Sequence, residues 1–318
     1  MSDSGVSENL SLNRDSFKSG FAAVVGRPNA GKSTLLNAVM GTKVAITSDR
    51  PQTTRRTIRG IVNRPEGQLI LVDTPGMHRP RTLLGERLND EVKDTWGNVD
   101  SVALCIPANE NIGPGDRFIA SAISELNKKS LYAIVTKIDT VNPSQLATQL
   151  LAVSELGTSV GIEWTAIIPV SAVRNEQVDV VVREIIAGLP EGPPLFPEDT
   201  PTDEPAEIFI AELIREAALR GVQDELPHSI AVVVEEIALR EGRSADRPMT
   251  DVHANIFVER DSQKAIVIGK KGSRLRTVGT EARAEIEKFL GMPVYLDLRV
   301  KVAKDWQRDP KQLRRLGF

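Results

Sequence analysis

The chain has 318 residues, of which 41% are hydrophobic and 26% are charged, and its formal net charge is −3. This composition is ordinary for a globular protein of about two domains, and it excludes a collagen, a coiled coil and a chain that is disordered throughout. The single cysteine, Cys105, and the small aromatic set (8 Phe, 2 Tyr and 3 Trp) exclude a disulfide scaffold and a site that stacks many rings. Residues 1–17 are polar and lack the basic and apolar regions of a secretory signal, so they are predicted to form a flexible tail.

Short apolar runs alternate with longer amphipathic stretches after the tail. Strands are predicted at residues 21–25, 69–73, 101–106, 132–136 and 166–170, and helices at residues 33–40, 83–97, 115–128, 144–155 and 177–187. Nearly continuous apolar strands that alternate with helices are typical of a parallel sheet covered on both faces. Residues 58–63 are predicted to form an antiparallel edge strand beside residues 68–73. We therefore expect an α/β domain over residues 18–189.

The segment from 190 to 205 contains six prolines and five acidic residues, and no basic residue. Because proline fixes φ and lacks a backbone donor, this segment is predicted to be a semi-rigid linker with neither a helix nor a central strand. Residues 206–318 are predicted to form a smaller α+β domain. Its expected elements are a helix at 207–220, strands at 229–239, 253–260 and 293–302, a short apolar element at 264–268 and a helix at 273–290.

The last part of the chain is strongly basic although the protein as a whole is acidic. Residues 262–318 carry 14 basic and 6 acidic side chains, whereas residues 1–261 carry 26 basic and 37 acidic ones. A basic end on an acidic protein indicates a polyanionic partner for that end. A solvated basic surface without a partner is the alternative, and charge alone does not separate the two.

A phosphate-binding pattern, two glycines separated by four residues and followed by Lys and Ser, joins the first strand to the first helix. Its residues are Gly26, Arg27, Pro28, Asn29, Ala30, Gly31, Lys32 and Ser33, followed by Thr34. Glycines allow backbone N–H groups to turn toward phosphate oxygens, and the helix N-terminus adds partial positive charge. We expect Lys32 to bridge the β and γ phosphates of a nucleotide and the Ser33 hydroxyl to ligate Mg²⁺.

Three further motifs follow predicted strands at the edge where open α/β sheets bind ligands. They are Asp73-Thr74-Pro75-Gly76, Thr136-Lys137-Ile138-Asp139 and Ser171-Ala172. Asp73 is expected to hold Mg²⁺ through water, and the Gly76 N–H to approach a γ phosphate. Asp139 can accept hydrogen bonds from guanine N1 and N2, for which adenine has no matching pair of donors. The Lys137 stem is expected to cover the base, and the Ala172 N–H to contact guanine O6.

The order of these motifs along the chain resembles that of the translation-factor-like GTPases. The resemblance implies that Thr54, or alternatively Thr53, gives Mg²⁺ a second hydroxyl from a first switch segment. Thr136 stands where the common pattern has asparagine, which is expected to weaken the support of the phosphate loop. Met77 stands where Ras-like proteins have a glutamine that orients the attacking water, so no side-chain base is assigned and hydrolysis is expected to be slow. We hypothesise that K⁺ bound near Asn29 takes the place of a catalytic arginine, as the resemblance to GTPases with this asparagine implies.

A second glycine turn lies in the basic end and has the GxxG pattern of K-homology RNA-binding modules. The candidate RNA-binding residues are Ile268, Gly269, Lys270, Lys271, Gly272, Ser273, Arg274 and Arg276. The glycines permit close approach to phosphates, the lysines supply charge, and the following helix supplies N-terminal N–H groups. The order of a helix followed by strands resembles the type II variant of this module.

A phosphate-loop GTPase joined through a proline-rich linker to a C-terminal K-homology domain resembles the Era family. Further segments that carry the resemblance are residues 46–61, 72–78, 196–203, 226–232, 267–283 and 313–318. The resemblance implies a GTP- and GDP-binding switch that hydrolyses GTP, binds 16S-type ribosomal RNA near its 3′ end and assists rRNA processing and small-subunit assembly. A signalling or membrane-recruited GTPase whose C-terminal domain binds protein or lipid is the alternative.

The sequence also bears on cellular location. No run of 18 apolar residues occurs, which predicts that no helix spans a membrane. A single cysteine is typical of the reducing cytoplasm. The family resemblance adds a candidate peripheral contact with the inner face of the cell membrane, and no stable protein partner can be inferred.

Overall fold

The computed structural model describes residues 17–48, 53–77, 82–126, 130–222, 226–244 and 246–318. Apart from Phe17, the predicted tail lies outside the described residues. The strands of the larger sheet are β1 (Lys18–Val25), β2 (Ile58–Arg64), β3 (Gly67–Asp73), β4 (Ser101–Pro107), β5 (Ser130–Thr136) and β6 (Ala166–Pro169). Within the described residues they are arranged in the order β2-β3-β1-β4-β5-β6.

All neighbouring strands of this sheet are parallel except β2 and β3, which confirms the predicted antiparallel edge strand. The helices are α1 (Lys32–Met40), α2 (Leu83–Asn98), α3 (Pro114–Ser124), α4 (Pro143–Val160) and α5 (Val178–Ala187). Leu35 of α1 and Ile185 of α5 belong to the core on one face, whereas Trp96, Ile119 and Val153 of α2, α3 and α4 belong to the core on the other. Because β3, β4 and β5 are buried along their whole length, their sequences are apolar runs rather than alternating patterns.

The proline-rich linker contains no helix or strand and lies along the outer edge of β2. The Ile61 N–H of β2 donates to the Pro201 carbonyl at 2.9 Å. The buried Gln68 side chain accepts hydrogen bonds from the N–H groups of Leu195 (2.6 Å) and Phe196 (2.9 Å). Its amide nitrogen donates to the Phe196 carbonyl at 2.8 Å. The linker therefore covers the exposed edge of the sheet and is held there by backbone hydrogen bonds.

The segment after the linker forms the predicted α+β unit. Its elements are α6 (Ala206–Leu219), α7 (Leu226–Ser229), β7 (Ala231–Leu239), β8 (Thr250–Val258), α8 (Asp261–Ile268), α9 (Ser273–Leu290), β9 (Val294–Val302) and α10 (Pro310–Arg315). The strands are ordered β7-β8-β9, with β8 antiparallel to β7 and parallel to β9. The strand predicted at 253–260 begins earlier, at Thr250. It also ends earlier, because Gln263 Oε1 accepts hydrogen bonds from the N–H groups of Glu259 and Arg260 at the start of α8. The short helices α7 and α10 were not predicted.

The two folded units pack against each other through an apolar cluster. Leu84 and Leu88 of α2 lie against Phe257, Trp306 and Leu313 of the second unit. Trp306 is fully buried and anchors this contact. The second unit is therefore fixed on the helix that follows the Asp73 motif.

The longest helices among the described residues are α4 and α9, with 18 residues each. α9 carries charged side chains along most of its length. No helix in the described part of the chain combines the length and the apolar character that crossing a bilayer requires.

Replacing Gln68 with alanine should lower the free energy of unfolding by about 2–4 kcal/mol, because buried backbone groups of the linker lose their partners. Urea denaturation followed by circular dichroism measures this change. Gln145→Ala is the matched control, since Gln145 only caps the exposed start of α4 and its loss should cost less than about 1 kcal/mol. A Gln68→Ala effect as small as that of the control would contradict the role assigned to Gln68.

Candidate functional site

The loop between β1 and α1 forms an open cradle of backbone N–H groups. Gly26, Asn29 and Gly31 have φ values of 150°, 63° and 89°, which turn the backbone inward. A Cβ at Gly26 would lie 2.7 Å from the Cys105 carbonyl oxygen, so only glycine fits there. No described side chain caps the start of α1, which leaves its first N–H groups available to an anion.

Lys32 lies inside this cradle and is 6% exposed. Its Nζ donates to the carbonyl oxygens of Gly26 (3.1 Å) and Arg27 (2.9 Å). Burial lowers the pKa of Lys32, and the nearby Asp73 carboxylate opposes that shift. Cys105 lies beneath the loop, where burial raises the pKa of its thiol to about 12, so the thiol stays protonated. The lysine is thus placed to donate to phosphate oxygens in the cradle.

Ser33, Thr54 and Asp73 meet at one corner of the site. Ser33 Oγ donates to Asp73 Oδ2 at 2.5 Å and lies 3.0 Å from Thr54 Oγ1, which is 3.4 Å from Asp73 Oδ2. Asp73 is fully buried, and its Oδ1 has no hydrogen-bond partner among the described residues. Burial raises the pKa of Asp73, and the lysine and the two hydroxyls oppose that shift. Two hydroxyls and a carboxylate with an unpaired oxygen fit Mg²⁺, a hard cation that prefers oxygen ligands.

The same corner distinguishes between the two candidate threonines of the first switch. The Thr54 hydroxyl lies beside Ser33 and Asp73, whereas the Thr53 hydroxyl lies 3.5 Å from the carbonyl oxygen of Ser48. The structure therefore favours Thr54 as the metal ligand. Residues 49–52, just before these threonines, and residues 78–81, just after Met77, lie outside the described residues.

The residues after Asp73 bring the backbone close to the phosphate loop. The Thr74 hydroxyl donates to the Val24 carbonyl at 3.1 Å, and Pro75 then leads to Gly76. A Cβ at Gly76 would lie 3.0 Å from the Pro28 nitrogen, so a side chain has little room there. Met77 is buried in the core beneath α2 and α3. Its thioether packs against apolar side chains, in agreement with the expectation that it does not orient water.

The Thr136 and Ser171 motifs form the other end of the site. The Thr136 hydroxyl donates to the Ala30 carbonyl at 2.7 Å, so this residue still supports the phosphate loop in the place of asparagine. The Ser171 hydroxyl donates to Asp139 Oδ1 at 2.6 Å and thereby orients the carboxylate expected to read guanine. Lys137 adopts φ 59°, which turns the chain sharply between Thr136 and the short 3₁₀ turn that begins at Ile138. Ala172 follows directly after Ser171.

The phosphate loop, Thr53, Thr54, Gly76 and Lys137 border one cleft of about 690 Å³. Seven residues of its wall lie outside the predicted motifs: Ile46, Thr47, Ser48, Glu110, Leu219, Arg220 and Gly221. Glu110 lies 3.2 Å from Arg27 Nη2 and 3.6 Å from Lys137 Nζ, and Arg27 Nε donates to the buried Asp116 at 2.7 Å. This network connects the phosphate end of the cleft to the base end. Sequence reasoning missed Glu110 and Asp116 because no short motif marks them.

The GxxG turn joins α8 to α9 and is exposed. Gly269, Lys271 and Gly272 have φ values of 73°, 52° and 75°. A Cβ at Gly269 would lie 3.0 Å from the Arg274 nitrogen, so this glycine is required by the close approach of the chain. Lys270 and Lys271 are exposed, as are Ser273 and Arg276 at the start of α9.

A groove of about 360 Å³ extends from this turn along α9 and β9. Its lining combines short aliphatic and basic residues, namely Gly272, Leu275, Arg276, Gly279, Thr280, Arg283, Tyr295, Leu296 and Leu298. Arg274 is turned away from this groove and donates to the carbonyl oxygens of Ala218 (3.3 Å), Arg220 (2.7 Å) and Gly221 (3.3 Å). Its guanidinium is therefore engaged at the end of α6, in contrast to the other candidate RNA-binding side chains. Sequence reasoning missed Arg283 and the β9 residues because they lie outside the GxxG motif.

The parallel sheet with a phosphate loop, and with the Asp139 carboxylate that is expected to read guanine, defines a phosphate-loop GTPase domain, and the GxxG unit defines a K-homology domain. A family model described as 50S ribosome-binding GTPase matches residues 21–137, and one described as KH domain matches residues 225–307. The mixed sheet and the helix–strand–strand order of the second unit agree with the expected type II variant.

Comparison with known proteins places the chain in one family. It is 63% identical over 301 residues to GTPase Era of Streptomyces coelicolor, with 95% of both chains covered. It is 64% identical over 303 residues to GTPase Era of Mycobacterium avium, with 95% of this chain and 99% of the relative covered. The crystal structure of an Era in complex with MgGDPNP and nucleotides 1506–1542 of 16S ribosomal RNA matches with a TM-score of 0.89 and 40% identity, over 95% of this chain and 99% of that one. The chain belongs to the Era family of GTPases.

Replacing Asp139 with asparagine should shift the nucleotide preference from guanine toward xanthine, because the amide reverses one hydrogen bond to the base. Calorimetric titration with GDP and with xanthosine diphosphate measures the two affinities. Asp94→Asn, an exposed change on α2, is the matched control and should leave both affinities unaltered. An unchanged ratio of affinities in Asp139→Asn would contradict the assignment of the base site.

Proposed function

We propose that this chain is a GTP-hydrolysing switch that binds small-subunit ribosomal RNA near its 3′ end and assists rRNA processing and assembly of the small ribosomal subunit. One observation carries the proposal. Two anion-binding glycine turns lie on one chain whose fold matches, with a TM-score of 0.89, that of a relative crystallised with both MgGDPNP and a 16S rRNA segment. The proposed site of action is the cytoplasm, and the peripheral membrane contact stays a prediction.

The nucleotide would lie in the cleft between the phosphate loop and the Asp139 motif. Residues 26–34 are proposed to bind its phosphates, with Lys32 donating to the β and γ phosphates. Ser33 and Thr54 are proposed to ligate Mg²⁺ directly, and Asp73 through water. Bound Mg²⁺ would neutralise charge that develops on the phosphate oxygens. The remaining proposed nucleotide contacts are Asp73, Thr74, Pro75, Gly76, Met77, Thr136, Lys137, Ile138, Asp139, Ser171 and Ala172.

Hydrolysis in this chain would depend on positioning rather than on a side-chain base. The buried Met77 leaves the place of the usual glutamine without a group that can orient water. Asn29, with its left-handed backbone at the mouth of the phosphate loop, is proposed to help hold K⁺. A monovalent cation there would oppose the negative charge of the transferring phosphate, as an arginine does in other GTPases.

The RNA would lie in the groove between α9 and β9, with its backbone clamped by the GxxG turn. Ile268 and Leu275 offer aliphatic surface, and Lys270, Lys271 and Arg276 supply positive charge. The backbone N–H groups of Gly269, Gly272 and Ser273 donate to carbonyl oxygens of the turn and of the end of α8. The two glycines are therefore proposed to let the RNA backbone approach closely because they carry no side chain, and the exposed Ser273 side chain is proposed to contact the phosphates. Because Arg274 is engaged by backbone carbonyls, we propose that it orients the turn instead of contacting RNA.

The proposed domain limits follow the predicted ones: GTPase domain over 18–189, linker over 190–205 and K-homology domain over 206–318. The segments 47–61 and 73–82 are proposed to order around GTP and to relax after hydrolysis. We further propose that this change alters the orientation of the second domain and the access of RNA to its groove.

Replacing Lys270 and Lys271 with aspartate should weaken binding to the 3′ segment of 16S-type RNA by about 100-fold and flatten its salt dependence, because phosphate contacts are lost. Filter binding across a salt series, with GDP and with GDPNP, measures both effects. The control Lys93→Asp with Lys288→Asp changes the net charge equally at exposed sites away from the GxxG turn. If the two double variants lost equal RNA affinity, the assignment of the groove as the RNA site would be contradicted. If the wild type bound RNA equally well with GDP and with GDPNP, the proposed effect of the nucleotide on RNA access would be contradicted.

Turnover of GTP should be faster in potassium than in sodium buffer, because the position beside Asn29 is proposed to fit K⁺ better than Na⁺. Single-turnover phosphate release in each salt at equal ionic strength measures the difference, which we expect to be about tenfold. Asn29→Gly keeps the left-handed backbone and removes the carboxamide, so it should abolish the difference. Equal wild-type rates in the two salts would refute the K⁺ hypothesis.

A further inference from the structure

Helix α6 of the second domain contacts the first switch segment on both sides. The Thr47 N–H donates to Glu216 Oε1 at 2.9 Å, and Arg215 Nη2 donates to the Thr53 carbonyl oxygen. Arg215 is 1% exposed and Glu216 is 3% exposed, so both contacts are made by buried charged groups. Ile46, just before Thr47, is buried in the core of the second domain. The two ends of the loop that carries the metal-binding threonine are therefore fixed by one helix.

The Arg215 side chain is oriented by a hydrogen bond within its own helix. Its Nε donates to Glu212 Oε1 at 2.8 Å, one turn earlier on α6. A second buried guanidinium, that of Arg55, lies nearby and donates to the Ile230 carbonyl at 2.6 Å. The repulsion between these cations contributes to lowering the pKa of Arg55, after the larger effect of burial. Two buried arginines in proximity are costly, and the hydrogen bonds they make across the domain boundary offset that cost.

The Thr53 carbonyl and the Thr54 N–H belong to one planar peptide group. Fixing the carbonyl with Arg215 therefore restricts the orientation of the Thr54 residue that follows. The Thr54 hydroxyl lies 3.0 Å from Ser33 Oγ and 3.4 Å from Asp73 Oδ2 in this arrangement. Arg55, on the other side of Thr54, is held by the second domain as well.

We propose that Arg215, a residue of the RNA-binding domain, is a positioning residue for GTP hydrolysis: it holds the Thr53 carbonyl so that the Thr54 hydroxyl faces the metal site. The inference rests on the proposed nucleotide and Mg²⁺ site and extends it across the domain boundary. The conformation of the first switch that supports hydrolysis then depends on residues of both domains. The C-terminal end of α6, about one turn beyond Arg215, is capped by Arg274 just after the GxxG turn, so the same helix also lies beside the proposed RNA site.

The test compares the affinities of Arg215→Gln for GDPNP and for GDP over a range of Mg²⁺ concentrations by calorimetry. Switch threonines contact the metal when a γ phosphate is present, so the variant should lose about 10–100-fold in GDPNP affinity and should need more Mg²⁺. Its affinity for GDP should stay within about twofold of the wild type, because GDP lacks the γ phosphate that orders this segment. The single-turnover rate of GTP hydrolysis should fall by a similar factor of about 10–100.

Two further variants make the result specific. Arg215→Lys keeps one donor to the Thr53 carbonyl and should recover part of the GDPNP affinity. Arg240→Gln removes an arginine that pairs with Asp251 and stacks on Tyr295 on the sheet of the same domain, and it should change neither affinity. Arg215→Gln would overturn the proposal if it left both the GDPNP and the GDP affinity unchanged. An equal loss of both affinities would also overturn it, because that result would indicate a general structural role. If the wild type itself showed no guanine preference and no hydrolysis, the proposed function would fail instead.

Discussion

The phosphate loop is held open by contacts from the neighbouring strand ends, and the rest of the candidate site depends on this constraint. Gly26 approaches β4 so closely that no side chain fits, and Gly76, after β3, lies against Pro28. Thr136, at the end of β5, donates to the Ala30 carbonyl. Because these contacts involve backbone atoms and one short hydroxyl, the loop keeps its shape before a ligand arrives. A preformed cradle binds phosphate without first losing conformational entropy.

The corner of the site below this loop contains two buried groups of opposite charge. Asp73 and Lys32 are both buried there, and each favours the charged form of the other against the effect of burial. A buried carboxylate with an unpaired oxygen is costly, and a cation held with Ser33 and Thr54 would relieve that cost. Thr54 reaches the corner from a separate segment of the chain. The proposed metal site is therefore complete only when that segment is in place.

The packing of the two domains also affects the corner formed by Ser33, Thr54 and Asp73. The linker is fastened to β2 and β3 by Gln68, and α2 packs on Trp306, so the position of α6 beside the first switch is well defined. One helix thus contacts the segment that carries Thr54 and, about one turn further on, Arg274, which lies just after the GxxG turn. This arrangement gives the nucleotide site and the RNA groove a short physical connection.

Contiguous residues were sufficient to predict the α/β and α+β units, the antiparallel edge strand, both glycine turns and the motifs that follow the strands. Such features are local, because φ, hydrogen-bonding capacity and charge at neighbouring positions are enough to specify them. Only the tertiary structure favours Thr54 over Thr53 as the proposed metal ligand, turns Arg274 away from the groove, and brings Glu110 and Arg215 to the site. Arg215 and Thr53 are 162 residues apart, and no pattern along the chain links them. Their contact arises from the packing of one domain on the other, which depends on surfaces formed only after each domain has folded.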